Sequence, residues 1–159
     1  MKNYSIEIKW AIRYTLLSLA WSIGEHYCGL HDVHIQDYGL YSTLFIFPAV
    51  LFFVMALREK RTYFFNGTMR WAQGFVSGTI LSFIIALFTP MAQLVIYKAI
   101  APHFFENLIA YKVEHHYLKL AEAQKYFNLN SYMLQNTFSA LSNGVVLGAI
   151  ISVFLKPKK

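Results

Sequence analysis

Three stretches of this 159-residue chain lack every formally charged side chain: the residues between Asp37 and Arg58, from Trp71 to Tyr97, and from Tyr126 to Leu155. Charged residues make up only 14% of the whole, against 57% hydrophobic and 18% aromatic. Soluble domains carry about a quarter charged residues, so this balance excludes an ordinary soluble fold. Runs of about twenty residues without Lys, Arg, Asp or Glu are what a hydrocarbon core demands, because each buried charge there costs several kcal/mol. Cysteine is almost missing too. Cys28 stands alone, which excludes an intrachain disulfide framework. Period-2 alternation is absent and the apolar runs are about twice as long as a barrel strand, which argues against a membrane β-barrel. No phosphate-cradling glycine loop, H-E-x-x-H, nucleophile elbow or C-x-x-C pair occurs. An enzyme is therefore not expected, no catalytic residue is nominated, and no cofactor is implied.

What is present reads as an all-α integral membrane protein with four transmembrane helices in a single domain, residues 1–159. The expected spans are 8–27, 38–57, 71–95 and 132–155. Lys2, Lys9 and Arg13 ahead of the first apolar run imitate a signal peptide, but no small-residue cleavage site follows, so an uncleaved first span is expected. The net charge of +6 is distributed as a topology signal and does not call for a nucleic-acid partner. Ten basic residues fall at the termini and in the 58–70 turn, and four fall between the spans on the other side. The positive-inside rule then puts both termini in the cytoplasm, as expected of a multi-pass protein of a bacterial inner membrane with the lipid bilayer as its first partner. Trp10, Trp71, Tyr27, Tyr38, Tyr41, Tyr97 and Tyr132 sit where interfacial belts would place them. Pro48 and Pro90 are expected to kink spans two and three.

The 102–130 segment is too long for a plain turn. Phe104, Leu108, Tyr111, His115 and Leu118 recur at helical spacing, which predicts an amphipathic outer-face helix between spans three and four, continued or restarted over residues 120–127. Asn130 or Ser131 is expected to cap span four.

Polar residues inside the spans are the functional candidates. Gln135, Ser139, Ser142 and Asn143 share one side of span four, with Asn136 beside them, and Gln93 and Thr89 in span three are their expected partners. Amides in lipid are costly, so these groups should face the bundle interior or a wet cavity. Gly74 with Gly78 and Gly144 with Gly148 form two small-xxx-small pairs at similar depth in antiparallel spans, which predicts close packing of those faces or, alternatively, a homodimer seam. Glu25 is the one acid inside a drawn span. The first outer loop offers Cys28, His31 and His34 beside Glu25 as metal-ligand candidates, although spacing by threes disperses them around an α-helix.

In order and spacing, several stretches resemble the domain of unknown function 4199 family. They are GLHDVHI at 29–35, LFIFPA at 44–49, ALREK at 56–60, WAQGFVSG at 71–78, FFEN at 104–107, AQKYF at 123–127 and Ser131-Tyr132. The resemblance implies a four-helix membrane protein of the kind found mainly in Bacteroidetes. It implies no activity, cofactor or site residue. Four roles remain open: a non-enzymatic membrane accessory that regulates a partner, a small oligomeric transporter or channel using the span-four stripe, an outer-face metal or pH sensor, and, last, a membrane-embedded enzyme.

Overall fold

A computed structural model of the chain describes residues 4–157. Seven α-helices and connecting turns build it, with no strand among the described residues. They are α1 (Ser5–Tyr27), α2 (Tyr38–Thr43), α3 (Ile46–Tyr63), α4 (Trp71–Val95), α5 (Phe104–Glu114), α6 (Leu120–Tyr126) and α7 (Leu129–Leu155), with a π-helical turn, Ile96–Ile100, extending α4. Three helical stretches, Tyr38–Tyr63, Trp71–Ile100 and Leu129–Leu155, are long and apolar enough to cross a membrane. The first span expected from sequence is not among them. α1 has the length, but Glu7, Lys9, Arg13 and Glu25 fall within it and lower its hydropathy.

The four long helices form a ring in the order α1, α4, α7, α3, so that α1 and α7 stand on opposite corners. The α4–α7 contact is the most extensive. Gly78 and Gly148 meet there backbone to backbone, and Gly74 and Gly144 lie against Ser152 and Ser82 of the facing helix. Helices in lipid gain little from mutual apolar burial, so close van der Waals approach through small residues has to supply the adhesion.

Each end of the ring is closed differently. At the end carrying both termini, a packed core joins Trp10, Ala11, Phe53, Leu57, Leu81, Ile85, Ile151 and Leu155. Ion pairs surround it: Glu7 with Lys60, and Lys9 with Glu59. Trp10 is buried and donates its indole N–H to Glu59 at 2.9 Å, so it is a core residue, not a member of an interfacial belt. At the opposite end α5 docks across the ring. Phe104 stacks on Tyr97 at 5.0 Å and meets Tyr38 at 4.8 Å and Tyr132 at 5.9 Å. Those three tyrosines turn inward to this aromatic layer for the same reason.

Local chemistry explains where the helices break. Pro48 has no N–H and would clash with the carbonyl four residues back, at Leu44. The chain accordingly interrupts at Leu44–Phe45 and restarts as α3, which leaves Pro48 in a first turn where no donor is needed. Pro90 stays inside an unbroken α4. The helical stripe expected through Leu118 stops at Glu114, because His116 adopts a left-handed φ of 54°. α7 is capped by Asn128, ahead of the expected positions, its Oδ1 accepting from the Ser131 N–H at 2.9 Å. Asn128→Ala should cost about 1 kcal/mol and lower the melting temperature by a few degrees, measured by circular dichroism in detergent.

Candidate functional site

α1 ends in a Schellman turn. Leu30 N–H bonds the Glu25 carbonyl at 3.0 Å and Gly29 N–H bonds the His26 carbonyl at 2.9 Å. Gly29 takes φ of 75°, the left-handed conformation this motif needs. The turn folds the chain back, so that His31 comes to lie over Glu25. The pair is buried: His31 is 1% exposed and Glu25 7%. His31 Nε2 lies 3.6 Å from Glu25 Oε2, too long for a hydrogen bond. Trp21, one turn earlier on α1, donates its indole N–H to Glu25 Oε1 at 2.9 Å. Phe104 meets the His31 ring edge-on at 5.3 Å, and Asn107 donates to the His31 carbonyl at 3.0 Å, so α5 fixes the loop in place.

Glu25 lines a half-open cavity of about 690 Å³ between α1, α2–α3, α4 and α7. One face of α1 contributes Tyr14, Ser18, Trp21, Ser22 and Glu25, residues that recur at helical spacing. α4 contributes Thr89 and Gln93, and α7 contributes Gln135, Asn136, Ser139 and Asn143. Asn136 donates to Gln93 Oε1 at 2.9 Å, while Thr89 bonds back to the Ile85 carbonyl of its own helix. Gln135, Ser139 and Asn143 are exposed along the cavity wall. Tyr38, Tyr97 and Tyr132 form its limit towards α5, with the Tyr38 and Tyr97 hydroxyls 3.4 Å apart. Phe53, Ile85 and Leu147 form its limit towards the termini.

The residues singled out in the sequence divide accordingly. Glu25, Gln93, Gln135, Asn136, Ser139 and Asn143 line one space. Of the loop residues, His31 joins Glu25, whereas Cys28 and His34 are exposed, with His34 Nδ1 3.2 Å from the Cys28 carbonyl. No three His, Cys, Asp or Glu side chains among the described residues converge on a point that could hold a metal ion. Gly74, Gly78, Gly144 and Gly148 serve the α4–α7 seam. Apart from Glu25, the α1 face is not among the candidates drawn from sequence, although its 3.6-residue spacing of hydroxyls, rings and one acid is present there. The buried Glu7–Lys60 pair was overlooked too, because both residues lay outside the drawn spans.

Comparison with known proteins adds a family and nothing finer. The model of a family described as "Protein of unknown function (DUF4199)" matches residues 9–157. No curated protein and no solved structure matches the chain.

Proposed function

The chain belongs to the DUF4199 family of proteins of unknown function, and on that premise we propose a role read from its own geometry. It is a non-enzymatic, four-span protein of the bacterial inner membrane that takes a small polar solute into its central cavity and passes it across. α1 supplies the fourth span. Its 23 residues reach about 34 Å, and its polar groups have partners: Glu7 pairs with Lys60 and Lys9 with Glu59, Arg13 lies over the Trp10 ring at 5.0 Å, and Glu25 accepts the neutral Trp21 indole N–H. Arg58, Lys60, Arg61, Arg70 and Lys156 cluster at the end that carries the termini, which supports a cytoplasmic position for it.

One observation carries the functional reading: Glu25, Gln93, Gln135, Asn136, Ser139 and Asn143, from three different helices, line a single space bordered by the three stretches apolar enough to cross a membrane. Polar groups there are costly unless they serve each other, water or a ligand. Among the six, Asn136 donates to Gln93 and Glu25 accepts the Trp21 indole, while Gln135, Ser139 and Asn143 lie exposed along the wall. A volume of about 690 Å³ falls within the range of small-molecule sites. This favours a solute site over the partner-regulating role, because the cavity gives these side chains a common occupant. Passage requires the aromatic layer under α5 and the packed core near the termini to open in turn, since each limits the cavity on one side. No cofactor and no nucleic acid enter the proposal.

The test is flux. Purified protein in liposomes should move at least one member of a panel of small amines, amino acids, sugars and alkali cations. A Gln135→Ala/Asn143→Ala double variant should slow it about tenfold while keeping its melting temperature. Absence of flux across the whole panel, or a double variant as fast as the parent, sinks the proposal.

A further inference from the structure

Resting on the solute-site reading and narrowing it, we propose that the occupant is a small organic cation, held at its ammonium group by Glu25 and by the aromatic rings beside it. Among the described residues Glu25 is the one formally charged side chain lining the cavity, and neither Lys nor Arg lines it. An ionised carboxylate offers about four lone-pair sites. Here Oε1 accepts one indole N–H, and Oε2 faces the His31 ring at 3.6 Å without a hydrogen bond. A buried acid so short of donors is stabilised by a donor that brings positive charge, since charge-assisted hydrogen bonds are about twice as strong as neutral ones.

Two further observations point to the same class of ligand. Ser22 lies three residues before Glu25 on the cavity face and is 4% exposed. Its hydroxyl finds no hydrogen-bond partner among the described residues. Thr15 and Ser18 on the same helix instead bond back to the carbonyls of Ala11 and Thr15. Ser22 Oγ thus stands buried and unpartnered at the edge of the occupant's space. The rings of Trp21, Phe45 and Tyr14 then wall the space, with Trp21 and Tyr14 each 5.6 Å from Phe45. Aromatic faces attract ammonium groups, more strongly when water is excluded. An anion meets no Lys or Arg among the described lining residues, and a neutral solute brings no charge to the Glu25 carboxylate. A bare alkali ion fills little of about 690 Å³.

Calorimetric titration of the protein in lipid nanodiscs tests the assignment, with propylammonium and tetramethylammonium as probes and propanol and propionate as neutral and anionic controls. Saturable binding of at least one ammonium probe is expected, with neither control binding at the same concentration. Glu25→Gln should weaken that binding tenfold or more, and Glu25→Asp, which keeps the charge, should retain most of it. If Glu25→Gln fails to fold, the probe selectivity of the parent and the Glu25→Asp variant decide. Propanol binding as tightly as the ammonium probes, or ammonium binding unchanged in Glu25→Gln, overturns the cation assignment while leaving the cavity a solute site. Folded protein that binds no ammonium probe overturns it as well, and flux of a neutral solute would then show the broader reading intact.

Discussion

Replacing Lys60 with methionine should destabilise the protein by about 3–5 kcal/mol, a loss large enough to leave little folded material at moderate denaturant. Lys60 Nζ lies 2.9 Å from Glu7 Oε1 and 3.0 Å from Oε2, and Ser77 donates its hydroxyl to the same carboxylate. The three residues come from α3, α1 and α4, and all are buried. Two charges out of water are tolerable only because they face each other. Removing the cation strands a carboxylate on one hydroxyl donor, and the uncompensated charge sets the size of the effect. A Glu7→Gln/Lys60→Met double variant removes both charges and leaves an amide that can still bond Ser77. It should recover most of the stability. Denaturant titration in mild detergent, followed by circular dichroism, reads both. If Lys60→Met proves as mild as Lys98→Met, a substitution at an exposed position, the pair does not hold this end of the ring together.

That pair also marks where sequence reasoning stops. Charge-free runs announce helices that can sit in lipid, because charge in hydrocarbon is so costly that its absence is a strong signal. The α2–α3, α4 and α7 stretches were therefore legible as long apolar segments. Charges near helix ends are ambiguous by the same physics. Lys60 reads as a topology marker in the basic 58–70 turn, yet three-dimensional pairing with Glu7 buries it. Trp10 and Tyr97 likewise fit an interfacial belt by position, but each found a partner inside: Glu59 for one, Phe104 for the other. At the site, helical spacing alone put the α7 amides on one side of their helix. That this side shares a space with the α1 face depends on the ring order of the helices, and no local pattern encodes it. The closeness of His31 to Glu25 depends in turn on the Schellman turn at Gly29, which a loop reading of residues 26–37 does not contain.

The second large effect is steric and lies at the α4–α7 crossing. A Cβ added at Gly78 would stand 2.7 Å from Gly148 Cα, a distance real Cβ atoms essentially never adopt. The obstacle is backbone, so no side chain can rotate away, and relief requires the two helices to move apart. Separation also disturbs the neighbouring seats of Gly74 on Ser152 and of Gly144 on Ser82 and Phe53. Gly78→Ala should therefore cost about 1–3 kcal/mol, the usual range for overpacking, and Gly78→Leu should abolish the folded protein. Gly24→Ala is the matched control. It lies in α1 with nothing within 4 Å of an added Cβ, so the gain in helix propensity should leave it as stable as the parent or slightly more so. Thermal melts of the three variants at two protein concentrations separate the alternatives. A seam within one chain predicts losses independent of concentration. Losses that shrink as the protein is concentrated would instead place Gly78 at a contact between copies, and Gly78→Ala melting with the parent would show that the helices can part at no cost.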